Sequence, residues 1–419
     1  MSDFQRLLAG LPGADPIGLE QHLELHGQPP HTGPGDGPAL VDAVEASGLC
    51  GRGGASFPTA AKLAAVASRR RPVVVVNGTE AEPMSTKDAV LLELVPHLVL
   101  DGAVLASHAV AARECVIACP RESHAGLRAA IGERERLGGS GVRIKLASSP
   151  PGYVGGEETA LIAHLEGRPP KPRVTPPYPA ERGLNGRPTL VQNVETLAHL
   201  ALIARRGPDW FREVGSSDRP GTTLVTVSGA VASPGVCEIP SGASLPDVIA
   251  RAGGGLEPIR ALLVGGYFGA WVDGIGDGLR FDDASLRAAG AAAGAGVVIA
   301  LGQSACPVAE TSRLATWLAG ESAGQCGPCV HGLGGLSDIL QRVAGGGMKS
   351  GDQDRLIRWV HMVRGRGACR HPDGASRMIA SATRVFTTEL NDHARHGPCD
   401  ACGRIPTLAL GRRGDAVAA

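Results

Sequence analysis

The 419-residue sequence predicts an α/β layer on a mainly parallel sheet, then a compact α+β module, then a small helical bundle. Three observations lead there. From about Pro38 to Gly207, short β-branched runs alternate with helix-period runs, the rhythm of parallel strands joined by crossover helices. At Thr222 this gives way to short strands around one short helix. Beyond Pro307 the signals are almost entirely helical.

Within the α/β region, Val73-Val74-Val75-Val76 is a buried-strand run closed by the turn Asn77-Gly78. Lys87 to Ala112 carries apolar residues at helical spacing. Cys115 to Ala118 is the next strand, Ser123 to Leu137 the next helix, and Val142 to Ala147 a third strand. Gly155 to Leu165 and Val191 to Arg205 follow as helices. The stretch from Arg168 to Pro179 has too many prolines for regular structure, because each one fixes φ and removes an N–H donor. It reads as a loop draped over the domain. In the α+β module, Thr223 to Ser228, Ala261 to Val264 and Val297 to Ala300 are strands. Ser244 is the N-cap of a helix reaching Ala252, with Pro246 tolerated in its first turn. The last region holds Val308–Leu318, His331–Val343, Gln353–Val363 and Ser376–His393, four helices with the short connections of a bundle. The boundaries this implies are 1–215, 216–303 and 304–396, with 397–419 as a tail carrying Cys-x-x-Cys.

Lys+Arg 41 balance Asp+Glu 41, which argues against a general nucleic-acid binder, since that function needs clustered positive charge. No apolar run approaches the ~20 residues that span a bilayer. The opening Met1-Ser-Asp-Phe-Gln lacks the basic-then-apolar order of a secretion signal. The expected location is the cytoplasm, with membrane attachment only through a partner.

Four segments carry the chemistry. Gly51-Arg52-Gly53-Gly54-Ala55-Ser56-Phe57-Pro58-Thr59 precedes an amphipathic run starting near Ala60. Glycines before a helix let backbone N–H groups point at an anion, and Lys62 offers a positive charge to a phosphate. A Gly-rich turn without a ligand would read the same way taken alone. Asn77-Gly78-Thr79-Glu80-Ala81-Glu82-Pro83 follows the first strand, and loops at the carboxyl ends of strands are where open α/β sheets bind ligands. Tyr153-Val154-Gly155-Gly156-Glu157-Glu158-Thr159 enters a helix with two carboxylates, for which the helix dipole alone is a sufficient account. Gln192-Asn193-Val194-Glu195-Thr196 places amides, which both donate and accept, at another helix opening.

Together these segments resemble the flavin-binding subunit of respiratory complex I and its relatives in bidirectional hydrogenases and NAD-dependent formate dehydrogenases. The resemblance runs from about residue 20 to 395 in the family's order. It includes Pro176-Pro177-Tyr178-Pro179, a β-grasp-like (SLBB) module over Thr222–Gly254, and Ser322-Ala323-Gly324-Gln325-Cys326-Gly327-Pro328-Cys329. It implies an FMN held by Gly51, Gly53, Gly54 and Lys62, by Asn77 and Glu80, and by Tyr153, Gly156, Glu157, Val191, Asn193 and Thr196. Arg52 and Gln192, inside the same segments, are counted with them. It further implies that Phe57, Glu82, Glu158 and Tyr178 lie near NAD(H) or NADP(H). The function so implied is a soluble electron-input oxidoreductase: a nicotinamide donor, FMN, a [4Fe–4S] cluster, then an acceptor such as a ferredoxin or a membrane reductase. A thioredoxin-like small subunit is a further partner of that plan.

The sequence also departs from the family. Thr79 replaces an aspartate, Ala65 an aromatic, and Thr175 a basic residue, which thins the nucleotide side. Ala323 stands where the family has the first of four cluster cysteines, leaving Cys326, Cys329 and, on a later loop, Cys369. Three metal readings are open. Cys399 or Cys402 folds back to complete an iron–sulfur cluster; or Cys326, Cys329, Cys399 and Cys402 bind Zn²⁺; or no metal is held. Cys50, Cys115, Cys119, Cys237 and Cys306 read as small buried hydrophobes. His331, His371 and His393 read as packing or surface residues. Two rival functions are an Rnf-type electron-transfer subunit and a non-catalytic scaffold that kept the fold. Glu157-Glu158-Thr159-Ala160-Leu161 favours the complex I type over the first, and the intact glycines and amides argue against the second.

Overall fold

A computed structural model describes residues 4–11, 13, 15–30, 36–274 and 278–411. The beginning of the first expected segment and the end of the expected tail, 412–419, lie outside the described residues.

The first unit opens with α1 (Leu19–His26), α2 (Gly37–Ser47) and α3 (Thr59–Ala67), then β1 (Val73–Asn77). The expected helix from Lys87 to Ala112 is two helices, α4 (Lys87–Leu94) and α5 (Pro96–Ala109), bent by 97° at Val95. Pro96 is the cause, because it has no N–H to continue the helix and its ring clashes with the preceding turn. Among the described residues no single helix is long and apolar enough to cross a membrane. Then come β2 (Glu114–Cys119), α6 (His124–Arg136), β3 (Arg143–Ser148), α7 (Glu158–Leu165), β4 (Thr189–Asn193), α8 (Val194–Arg206) and α9 (Pro208–Arg212).

Two expectations are corrected here. Val191 is not in a helix but in β4, which pairs in parallel with β1, and the helix begins only at Val194. Thr189 and Val191 are β-branched, and Asn193 ends the strand by capping the helix, its Oδ1 accepting from Glu195 N. Gly155 likewise precedes its helix in a short 3₁₀ turn, Tyr153–Gly156, and Glu157 caps α7.

The sheet has the order β3-β2-β1-β4 and is parallel throughout. One face is covered by α5 and α8, the other by α7 with Leu161 and Ile162 buried against Val73, Val75 and Val191. At Gly102 the two covering helices nearly touch, and a Cβ there would sit 2.0 Å from the Leu197 carbonyl oxygen. That close approach fixes the position of α8.

The second unit comprises β5 (Thr222–Gly229), β6 (Gly235–Pro240), α10 (Leu245–Arg251), β7 (Ile259–Val264), β8 (Ala270–Asp273), α11 (Asp283–Ala288) and β9 (Val297–Gly302). Its sheet order is β6-β5-β9-β7-β8. Ser244 Oγ does accept from Asp247 N as the cap of α10. The bundle is α12 (Pro307–Gly320), α13 (Gly334–Ala344), α14 (Asp352–Val363), α15 (His371–Val385) and α16 (Thr387–His396). The expected helix from Ser376 to His393 is thus split at Phe386, and the one from His331 starts as a π turn over Pro328–Leu333.

Candidate functional site

The chain leaves β1 for β2 on one side and later adds β4 on the other, so the β1–β4 boundary is the sheet's switch point. Crevices open at such points, beyond the carboxyl ends of the strands. Asn77 and Asn193 are register partners at the ends of those two strands. The loops after β1, β3 and β4 carry Asn77–Glu82, Tyr153–Glu158 and Asn193–Thr196, so the fold brings three of the four sequence segments to one place. The fourth joins them. Arg52 N donates to Thr196 Oγ1 at 2.9 Å, and a Cβ on Gly53 would lie 3.2 Å from that of Asn193. The Gly-rich loop is closed on itself by Gly51 N donating to the Phe57 carbonyl at 2.8 Å. Gly54 has φ +107°, a backbone state that side chains rarely adopt.

Most polar groups of this cradle hold one another. Asn77 Nδ2 donates to the Gly156 carbonyl at 2.9 Å, and Lys62 Nζ donates to Glu158 Oε2 at 2.9 Å and towards the Val191 carbonyl at 3.4 Å. Glu80 accepts from Asp88 N and Ala89 N, and Glu157 from Thr159 N and Ala160 N, so both carboxylates cap helices. Beneath them, buried Lys87 lies 2.9 Å from Asp88 and 2.8 Å from Glu195. Burial alone would lower the Lys87 ammonium, but the two carboxylates raise it. Burial pushes Asp88 up to about 6 against the pull of Lys87. Asn193 Nδ2 donates to Asp88 Oδ2 at 2.6 Å, which ties the network to the crevice. Sequence reasoning gave Lys87 and Asp88 no role, because each reads as an ordinary first-turn helix residue.

Two buried donors near the strand ends, Gln192 Nε2 at the end of β4 and Thr79 Oγ1 just past β1, have no partner among the described residues. The Arg52 guanidinium is held instead by Nη2 donating to the Pro220 and Thr222 carbonyls at 3.0 and 3.2 Å. Burial lowers the Arg52 guanidinium to about 9, with Arg219 adding to it. Unpaired buried donors beside glycines without side chains are what a polar cofactor would satisfy, so these residues fit a flavin nucleotide.

On the opposite side, Glu82 is buried and accepts from Tyr153 Oη and from Tyr267 N, each at 2.8 Å. Burial lifts its carboxyl to about 7 despite those bonds. Phe57 and Tyr178 are exposed, at 49% and 55%. The hydrogen bond recorded for Tyr178 N joins it to Glu181 in its own turn, so no bond draws it to Glu82 or Glu158.

Tyr153 also leads to the first thiol site. Its ring is 5.2 Å from Trp317 and 6.1 Å from His371. His371 lines one small cavity with Cys326, Cys329, Cys369 and Ala323. Cys326 Sγ accepts from Ala368 N, and burial pushes the Cys329 thiol up to about 12, with Cys369 and Cys326 adding to it. The loop is tied back to the first unit by Tyr153 N donating to Glu321 and by Gln325 Nε2 donating to the Pro172 carbonyl. Three thiols around one cavity suit three corners of an iron–sulfur cube. The corner at Ala323 has no thiol. His371 Nε2 donates to the Leu318 carbonyl, while its buried Nδ1 has no partner among the described residues.

The tail cysteines do not line that cavity. Cys399 and Cys402 instead lie with Cys306 and His393, and the four ligand atoms fall within 4.8 Å of one another. This corrects three expectations. Neither tail cysteine is placed to replace the thiolate missing at Ala323. The proposed zinc set of Cys326, Cys329, Cys399 and Cys402 is divided between two places. Cys306 and His393, read as packing residues, face other ligand groups. The spacing His393-x₅-Cys399-x₂-Cys402 was a usable signal, but Cys306, 87 residues before His393, had none.

Comparison with known proteins bears on this arrangement directly. Residues 44–202 match the family model described as the Nuo51 FMN-binding domain, 224–263 the SLBB domain, and 309–393 the NADH-ubiquinone oxidoreductase-F iron-sulfur binding region. The NADH-quinone oxidoreductase F subunit 2 of Rhizobium meliloti is 34% identical over 380 residues, covering 86% of this chain and 90% of that one. The chain belongs to the NADH-quinone oxidoreductase-F family. The corresponding F subunit of Streptomyces coelicolor is also 34% identical, over 383 residues, with coverage of 86% and 84%. Two solved structures of an NAD⁺-reducing [NiFe]-hydrogenase are similar. The air-oxidised state gives TM-score 0.83 at 32% identity over 97% of this chain and 69% of that one. The H₂-reduced state gives 0.81 at 32% identity over 87% of this chain, and the chain spans 64% of that chain's length. The FMN-binding region and the iron–sulfur region of the oxidoreductase-F family thus coincide with the sheet-end cradle and the three-thiol cavity. The expected family, fold class and flavoprotein character are borne out.

Proposed function

We propose that this oxidoreductase-F relative takes electrons from NADH at the β1–β4 crevice and passes them through the three-thiol site to a partner subunit. The observation that carries the reading is the convergence at one switch point of the glycine loop, Asn77 and Asn193, with Gln192 Nε2 and Thr79 Oγ1 buried and unpaired. FMN bound there would accept a hydride as an electron pair and release the electrons singly.

In this reading Gly53 and Gly54 present backbone N–H groups to the phosphate, helped by the start of α3 and by Lys62, while Gly51 N and Arg52 N hold the loop's shape through Phe57 and Thr196. Asn77, Gln192, Asn193 and Thr196 line the crevice, with Tyr153, Gly156 and Val191 shaping its wall. Glu80, with both oxygens engaged, and Glu157, through Oε2, act by holding α4 and α7 in place. Phe57, Glu82, Glu158 and Tyr178 form the nucleotide side, where Glu82 can hold a proton near neutral pH. Tyr153, Trp317 and His371 exclude water between crevice and thiols. Cys326, Cys329 and Cys369 would hold a cluster by three corners.

The domain limits 1–215, 216–303, 304–396 and 397–419 belong to the same proposal. So do the final acceptor, a ferredoxin or a membrane reductase, a thioredoxin-like neighbour, and a peripheral place on the membrane through such a partner. The test is the visible spectrum of anaerobically purified protein before and after NADH is added. A flavin spectrum that bleaches is the expected result, and protein without flavin after reconstitution with FMN overturns the reading.

A further inference from the structure

The second thiol site has a complete donor set of its own. Cys306 is the N-cap residue of α12, His393 stands in the last turn of α16, and beyond it Cys399 precedes a short 3₁₀ turn, Asp400–Gly403, that contains Cys402. Cys306 Sγ is 3.5 Å from His393 Nε2 and 3.5 Å from Cys402 Sγ. Cys402 Sγ is 3.7 Å from Cys399 Sγ and 3.9 Å from His393 Nε2. A Zn²⁺ ion with bonds of about 2.3 Å to sulfur and 2.0–2.1 Å to nitrogen sets tetrahedron edges of about 3.8 Å between sulfurs and about 3.6 Å from sulfur to nitrogen. These four spacings match those edges, and the remaining two fall within 4.8 Å. Thiolates on the corners of an iron–sulfur cube are splayed further apart, because each binds a different iron.

We propose that Cys306, His393, Cys399 and Cys402 form a structural Zn²⁺ site that clamps the tail onto the helical bundle. Each bound thiol gives its proton to solvent as the metal enters. The clamped segment lies just beyond Cys402. It exposes Ile405, then turns inward, with Thr407 N and Leu408 N donating to Glu310 at 2.5 and 3.3 Å. Leu408 is buried in the bundle core, and Tyr267 Oη donates to the Ala409 carbonyl. Tyr267 N in turn holds Glu82. The ion therefore anchors a strap that reaches Tyr267, which holds Glu82 on the nucleotide side of the crevice.

The test is the zinc and iron content of full-length protein purified anaerobically, measured for the wild type, Cys369→Ser and the double variant C399S/C402S. The wild type should hold about one zinc per chain, and the double variant should lose nearly all of it with its iron unchanged. C369S should show the reverse. Wild type without zinc, even after one equivalent is added under reducing conditions, overturns the proposal, as does a double variant that loses iron instead. Trypsin cleavage after Arg404 gives a check that does not depend on the variants folding. Stripping zinc from the wild type should speed cleavage there about tenfold or more, and an unchanged rate removes the clamp. Neither readout needs the flavin, so this proposal and the electron-input reading can fail separately.

Discussion

The crevice at the sheet ends and the thiol sites of the bundle are organised in opposite ways. In the crevice, Lys62, Asn77, Glu80, Glu157 and Asn193 are bonded to other protein groups, and a buried Lys87–Asp88–Glu195 cluster lies beneath them. Only a few buried donors are left over. In the bundle, the thiols converge on one another, with single backbone N–H donors from Ala368 to Cys326 Sγ and from Ala309 to Cys306 Sγ. The lesson is that the crevice keeps its shape through the chain's own hydrogen bonds, whereas metal bound at the thiol sites would draw their loops together. A preorganised site of the first kind loses little on standing empty; a site of the second kind loses its main cross-link.

The sharpest way to break that contrast is Cys369→Ser. It should abolish the broad iron–sulfur absorption while leaving bound flavin near the wild-type amount, read from one anaerobic spectrum. Loss of flavin with the cluster would mean that the two sites support each other. Lys87→Met comes next. It leaves Asp88 and Glu195 buried without their cation, which should cost about 3–5 kcal/mol in denaturant unfolding and release flavin, with the zinc content of folded protein unchanged. A stability change under about 1 kcal/mol would show that the cluster of charges is not what holds the crevice.

Glu82 sharpens the comparison through pH. Burial raises its carboxyl to about 7 in the folded protein, so the native state binds that proton more tightly than the unfolded chain. Its contribution to stability is full below the ordinary carboxyl range and is lost as pH rises through about 7. Stability measured from pH 5 to pH 8 should therefore slope downward from this group, and Glu82→Gln should flatten the slope. Tyr178→Ala is the mildest change. As an exposed aromatic on the nucleotide side, its loss should raise the KM for NADH by up to about tenfold, equivalent to roughly 0.5–1.5 kcal/mol, with kcat unchanged. An unaltered KM would take Tyr178 out of the nucleotide side.

The sequence alone determined the first strand, the glycine loop before α3 and the order of the three units. Each rests on local chemistry: a β-branched run, residues without Cβ, and a change of apolar period. Its resemblance to the family marked Cys326, Cys329 and Cys369, and made the gap at Ala323 visible. Tertiary structure decided the rest. The strand at Thr189–Asn193 was unreadable locally, because Val191 to Arg205 also carries a helical pattern and only pairing with β1 separates the two. Lys87 and Glu195 meet only because α4 and α8 pack on the same sheet face. The tail cysteines were legible as ligands but not as partners of Cys306, since a ligand set is defined by where loops close in space rather than by separation along the chain.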